Sequence, residues 1–237
     1  MEEVRYIDLK QTILSKNRDL AFEIRKDLAA RGTFMLNLMS SPGAGKTTLI
    51  LDLIRRLKQK VKIGVIEGDV ESQVDADRIH AEGVPAVQLR TGGSCHLDSA
   101  MIKVAVEALN QEQLNLVIVE NIGNLICTAE FDLGANLQVM ILSVPEGDDK
   151  VIKYPNMFRV SDVLIVSKID YLQMSDFDMV ALMERVKRLN PNIRVFRVSA
   201  KTGEGMDELC TWVALKVLAV NRSLAGPGPV GPGKVPV

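Results

Sequence analysis

The chain has 237 residues, 47% hydrophobic and 25% charged, with a formal net charge of −1. That length carries one α/β domain with a sizeable core, and near-neutral charge with only 4% aromatic residues excludes an electrostatic or base-stacking drive toward nucleic acid. No stretch approaches the roughly 20 apolar residues of a membrane span, and Met1-Glu2-Glu3-Val4-Arg5 opens polar with no apolar signal core behind it, so no membrane contact and a cytoplasmic location are expected.

Between Tyr6 and Arg31, Ile13, Leu14, Leu20, Ala21, Ile24 and Leu28 fall at helical spacing, and Gly32 is a helix stop. Residues 1–32 are therefore expected to form a helical segment that packs on the main domain. Phe34-Met35-Leu36-Asn37-Leu38-Met39 reads as a buried strand. Gly43 and Gly45 follow, then a helical pattern from Lys46 to about Lys60. Further short apolar runs occupy Ile63–Ile66, Leu116–Val119, Val139–Val144, Val163–Val166 and Ile193–Val198, with helix-like segments between several of them. Strands alternating with helices predict a doubly wound α/β fold, its sheet mostly parallel and covered on both faces. The main domain is expected over 33–222, and the Pro/Gly-rich end, 223–237, as a disordered tail.

Ser40-Ser41-Pro42-Gly43-Ala44-Gly45-Lys46-Thr47 sits between a predicted strand and a predicted helix, the context of a P-loop. Small residues let backbone N–H groups wrap phosphates at a helix N-terminus. Gly43, Ala44, Gly45 and Thr48 belong to that cradle; Lys46 would reach the β- and γ-phosphates, and the Thr47 hydroxyl would hold Mg²⁺. Ser40 stands where the pattern asks for glycine. Ser167-Lys168-Ile169-Asp170 resembles the guanine-reading motif Asn-Lys-x-Asp, with Lys168 lying along the base and Asp170 accepting from its N1–H and amine. Ser167 in place of Asn predicts the loss of one supporting hydrogen bond. Ser199-Ala200-Lys201, about 30 residues on, resembles the second base-contacting motif. Asp69, after Gly68, is a candidate second Mg²⁺ ligand, with Asp75 weaker. Glu120 follows a predicted strand where phosphate-sensing loops begin, and Gly123 would meet the γ-phosphate through its N–H. The alternative for Asp69 is a turn-forming carboxylate, with the metal role favoured; Asp75 could equally be a solvated helix charge, and the alternative for Glu120 is an ordinary strand-end carboxylate. No glutamine or arginine stands out as an accelerator in the chain, so slow turnover is expected.

Three cysteines are few for a disulfide framework and suit core positions or metal ligation. Cys95-His96 lies in Thr91-Gly92-Gly93-Ser94-Cys95-His96-Leu97-Asp98, and Cys127 ends Glu120-Asn121-Ile122-Gly123-Asn124-Leu125-Ile126-Cys127. On a strand, Cys95 and His96 would point to opposite faces; at the start of a helix after Gly92-Gly93 both could reach one ion. Two thiolates and an imidazole suit Zn²⁺ or Ni²⁺, while the alternative is two small buried hydrophobes and a surface histidine. Cys210 reads as a helical core position and His80 as a helix-surface residue.

Taken together, SPGAGKTTL, EGDVESQVDADRI, TGGSCHLD, VENIGNLICTAEFDLG, SVPEGDDKVIKYPNMF, SKID and SAKTGEGM resemble the HypB family of hydrogenase nickel-incorporation GTPases, of the SIMIBI class, over most of the chain from Ser40 to Trp212. The related urease accessory GTPase differs at the metal motif, which there is Cys-Pro-His. The resemblance implies GTP hydrolysis to GDP and phosphate with Mg²⁺. It also implies a nucleotide-favoured homodimer with Cys95, His96 and Cys127 as nickel or zinc ligands at its interface. Its partners would be a HypA-type nickel metallochaperone and the large subunit of [NiFe]-hydrogenase. Thr128 departs from the family's proline after the second metal cysteine. Alternatives are the same scaffold serving another metallocentre, such as urease, a metal-binding module with a vestigial nucleotide site, or a small-molecule kinase.

Overall fold

The computed structural model describes residues 9–69, 74–109 and 113–225. A strand buried on both faces shows no polar side, so its sequence is an unbroken apolar run rather than an alternation. Phe34–Ser40 (β1), Leu116–Glu120 (β4) and Val163–Ser167 (β6) are such strands, buried at every position. Ile63–Asp69 (β2), Ala86–Arg90 (β3), Leu137–Ser143 (β5) and Arg194–Arg197 (β7) complete a seven-stranded sheet in the order β3-β2-β4-β1-β5-β6-β7. Every pairing is parallel, which sharpens the expected "mostly parallel" sheet. β3 was not among the predicted runs. It is a half-exposed edge strand, and Gln88 and Arg90 interrupt its apolar residues.

Helices Leu9–Ala30 (α1), Lys46–Leu57 (α2), Val74–His80 (α3), Ser99–Leu109 (α4), Lys150–Lys153 (α5), Pro155–Val160 (α6), Met179–Leu189 (α7) and Met206–Ala225 (α8) cover the sheet. On one face α2 buries Leu49, Ile50, Leu53, Ile54 and Leu57 against Leu36 and Leu38 of β1, with Leu209, Val213 and Val217 of α8 beside them. On the other, Ile24 and Leu28 of α1 meet Ile102, Ala105 and Val106 of α4 over Met35, Val117 and Val119. Phe158 of α6 and Leu182 and Val186 of α7 fill the remaining part of that face. Cys210 is buried in α8 and His80 is exposed at the end of α3, both as expected. α8 runs on to Ala225, past the boundary expected at 222; residues 226–237, the expected tail, lie outside the described residues, as do residues 1–8.

The chain leaves β1, builds β2 and β3 on one side, returns as β4, then crosses β1 to build β5, β6 and β7 on the other. Strand order therefore reverses around β1. In open parallel sheets a crevice opens at such a point, beyond the carboxyl ends of the strands. The segments after β1, β4 and β6 emerge there, and β2 ends there.

Helix α1 is fastened to the turn before β5. Its residues 17, 21, 24 and 28 share one face, and all four are buried. Gly134 holds φ +80, and a Cβ there would lie 2.6 Å from Ala21 O and 3.0 Å from Ile24 Cβ. Arg25 Nη2 donates to both carboxylate oxygens of Asp132, at 2.8 and 3.0 Å. Gly134→Ala is expected to lower stability by about 2 kcal/mol, through backbone strain and the clash with α1. Urea denaturation checks it, and an unchanged midpoint would refute the close packing.

Candidate functional site

The phosphate cradle is built where β1 hands over to α2. A cavity of about 560 Å³ opens there, lined by Gly43, Gly45, Lys46, Thr47, Thr48, Glu67, Glu120, Gly123 and Lys168 among others. Ser40, at the position the pattern reserves for glycine, is fully buried at the end of β1. Its Oγ donates to Ser41 O at 2.7 Å and accepts from Lys46 Nζ at 3.0 Å. The departure thus gives the buried lysine a hydroxyl partner. Thr47 Oγ1 donates to Glu120 Oε1 at 3.1 Å, and Glu67 stands directly beside Glu120 in the β2–β4 register. A hydroxyl next to two buried carboxylates is a hard-oxygen donor set of the kind Mg²⁺ takes. Asp69 ends β2 as expected, but its side chain and that of Asp75 lie outside the described residues. Arg78 of α3 also lines the cavity. In sequence Arg78 has the look of an ordinary helix-surface charge, so nothing there singles out its place at the cavity.

A second cavity, of about 270 Å³, adjoins the first and is lined by Thr48, Lys168, Asp170, Ser199, Ala200 and Lys201 among others. The residues expected to read a base therefore share one recess. Ser167 Oγ donates to Ala44 O at 2.9 Å, so the serine makes a hydrogen bond of its own to the cradle. Lys168, at φ +58, reaches across the cradle and donates from Nζ to Gly43 O at 2.7 Å. The fully buried Ser199 donates from Oγ to Asp170 Oδ1 at 2.7 Å and so aims the carboxylate.

The third group lies beyond β3 and β4. Cys95 and His96 precede α4, whose N-terminus is capped by Asp98 accepting from Met101 N at 2.8 Å. They sit in a loop before the helix rather than in its first turn. Cys127 opens a short 3₁₀ turn, Cys127–Ala129. Asn124 Oδ1 holds that turn by accepting from Ile126 N and Cys127 N at 2.7 and 2.9 Å. Thr128 donates its hydroxyl to Asn124 O, a closure that proline could not make. Cys95 Sγ lies 2.8 Å from Cys127 Sγ and 3.5 Å from His96 Nδ1. One ligand atom from each of the three residues falls within 4.8 Å of the others, a spacing suited to an ion with bonds of about 2.0–2.3 Å. Burial holds His96 below the usual imidazole range, against the pull of Asp98 and Glu130, which favours the neutral, ligating form. The hydrogen bond shared with Cys95, then burial, pushes the Cys127 thiol up; a bound cation would reverse that and hold thiolate. His96 stacks on Phe131, ring centroids 3.7 Å apart, a partner that sequence reading did not single out.

The phosphate and thiol groups are joined by one short stretch of chain. A Cβ at Gly123 would lie 2.9 Å from Pro42 Cγ and 3.0 Å from Pro42 N, so this loop rests directly on the phosphate cradle. Four positions later comes Cys127. Asn121, at the start of the same loop, is fully buried; its Oδ1 accepts from Ile122 N at 2.9 Å and, more loosely, from Leu97 N at 3.4 Å.

Fold and cradle together define a P-loop nucleotide-binding protein with a thiol-rich metal-type cluster beside its phosphate site. The family model described as CobW/HypB/UreG, nucleotide-binding domain, matches residues 34–197. Hydrogenase maturation factor HypB of Azotobacter chroococcum mcd 1 is 47% identical over 213 residues, 90% of this chain and 70% of that protein. A Helicobacter pylori relative named hydrogenase/urease maturation factor HypB is 39% identical over 206 residues, 85% of this chain and 84% of that one. The crystal structure of HypB from Helicobacter pylori in complex with nickel superposes with a TM-score of 0.82 at 38% identity, covering 86% of this chain and 96% of that one. The chain belongs to the CobW/HypB/UreG family and, within it, to the HypB group. Among the described residues no helix is long and apolar enough to cross a membrane.

The three thiols differ in exposure. Cys95 is exposed, while burial pushes Cys210 up to about 11. At pH 8, iodoacetamide is expected to label Cys95 and spare Cys210 in the native protein. Peptide mass spectrometry reads the order, and early labelling of Cys210 would contradict its burial.

Proposed function

We propose that this chain is a metal-binding GTPase that assists nickel delivery during [NiFe]-hydrogenase maturation, with nucleotide state setting metal affinity and dimerisation. The observation that carries the reading is the loop from Gly123, seated on the phosphate cradle, to Cys127, beside Cys95 and His96. The similarity to hydrogenase maturation factors and to the nickel complex of HypB supports hydrogenase maturation and nickel.

GTP would lie with its phosphates against Lys46 and the cradle N–H groups and its base against Lys168, Asp170 and Ser199-Ala200-Lys201. Asp170 accepts from the donor pair of guanine, which adenine lacks. Thr47 and Asp69 would hold Mg²⁺, with Glu120 beside Thr47; the ion would neutralise charge on the β- and γ-phosphates. Lys46 stabilises the charge that develops as water attacks. Gly123 N–H meets the terminal phosphate, and loss of that phosphate frees the loop and re-aims Cys127. Cys95, His96 and Cys127 bind nickel, or zinc in its place, at the interface of a homodimer. A HypA-type metallochaperone and the hydrogenase large subunit are the partners that fit this role.

A second reading, service to a urease, is favoured by the similarity to the hydrogenase/urease maturation factor of Helicobacter pylori. Pull-down of the apoenzyme partner separates the two.

Coupling between sites is reciprocal and commonly amounts to about 5–150-fold. Nickel affinity is expected to differ by at least about fivefold between the complexes with a GTP analogue and with GDP, read by competition titration. Equal affinities would remove the switch. Asp170→Asn is expected to abolish the preference for GTP over ATP, measured as the ratio of their Kd values; an unchanged ratio would mean another group reads the base.

A further inference from the structure

Asn17 lies on the buried face of α1, in line with Ala21, Ile24 and Leu28, and is itself more than nine-tenths buried. A polar side chain on an apolar stripe loses its hydrogen bonds to water and must recover them inside. Asn17 does so at two separate places. Its Nδ2 donates to Asp132 O at 2.8 Å, and its Oδ1 accepts from Ser99 N at 2.8 Å. These partners fix which way the amide faces, because only its nitrogen can donate to a carbonyl. Ser99 N opens α4 and has no acceptor within its own helix.

Both partners sit just past a metal-type ligand. Ser99 comes three positions after His96, at the root of the Cys95-His96 loop. Asp132 comes five positions after Cys127, and its neighbour Phe131 carries the ring that stacks on His96. Asp132 is held further by Arg25 of the same helix and by its own bond to Gly134 N at 2.9 Å. One side chain thus ties the two segments that bring Cys95, His96 and Cys127 together, although it lies outside both the thiol cluster and the nucleotide cavities.

We propose that Asn17 is a positioning residue of the Cys95–His96–Cys127 site, fixing the separation of its two ligand-bearing segments from α1. This deepens the metal reading above and rests on it. Groups that orient metal ligands from behind typically change affinity by about 10–100-fold when removed. They do so because the ligands then spend time in geometries the ion cannot use. Asn17 therefore acts on the metal without touching it, and leaves the nucleotide cradle alone.

The test uses the full chain with Ni²⁺ as probe. Asn17→Ala is expected to weaken Ni²⁺ binding by about tenfold or more. It should also alter the thiolate-to-nickel charge-transfer band and speed amide hydrogen exchange at Ser99 in the metal-free protein, with GDP affinity unchanged. Asn17→Asp, which keeps the acceptor and loses the donor, should fall between, and it serves if the alanine variant does not fold. Leu28→Ala loosens the same helix about three turns from Asn17 and leaves both hydrogen bonds of Asn17 in place, and is expected to keep the wild-type Ni²⁺ affinity and spectrum. Wild-type affinity and spectrum in both Asn17 variants would overturn the proposal, as would an equal loss in Leu28→Ala. Cys127→Ala separates the two levels. If it binds Ni²⁺ as wild type does, or if wild type binds none, the metal reading itself falls and takes the positioning role with it.

Discussion

The contact on which this molecule turns is the one between Gly123 and Pro42. Two loops leave the carboxyl ends of neighbouring strands, β1 and β4, and meet so closely that there is no space for a β-carbon between them. Interiors packed this tightly do not deform smoothly; they rearrange between discrete states. Under the proposed function, this contact is where a change on the phosphate side would be passed to the other loop. That other side is the short turn that Cys127 opens, held by Asn124 Oδ1 accepting from Cys127 N and by the Thr128 hydroxyl donating to Asn124 O.

Around this contact the buried polar groups form a connected set. Asn37, in the middle of an apolar strand, donates from Nδ2 to Gln138 Oε1 at 2.7 Å and accepts from Asn121 Nδ2 at 3.1 Å. Asn121 in turn accepts from the backbone of its own loop, at Ile122 N, and from Leu97 N beside Cys95 and His96. Networks of this kind specify one arrangement because each member left unsatisfied is costly. The same logic explains why Ser40 and Ser167 are tolerated. Each is a short hydroxyl that finds a partner within the cradle, Lys46 in one case and Ala44 O in the other.

The sequence made the sheet legible wherever burial on both faces erased alternation, as in β1, β4 and β6, and it marked the nucleotide and thiol residues through glycine-flanked motifs. What it concealed shares a physical cause. β3 is an edge strand whose Gln88 and Arg90 face partly outward, so it lacks both an apolar run and a clean period of two. Arg78 reads as one more charge on a short helix until folding turns α3 toward the cradle. Asn17 reads as a flaw in an amphipathic stripe, because its partners are 82 and 115 positions away. Local pattern reports which side chains are buried; it does not report which distant backbone group a buried amide will find.

That separation along the chain has a consequence for when the protein could first hold an ion. The thiols of Cys95 and Cys127 are 32 positions apart, and the amide behind them belongs to the opening helix. A nascent or unfolded chain presents these donors as scattered single groups, with poor affinity for any cation. Cargo would be accepted only after the last of these segments has docked, so loading becomes a report that the domain is finished. By the same linkage an ion held only by the native form would raise the free energy of unfolding as its concentration climbs above the dissociation constant.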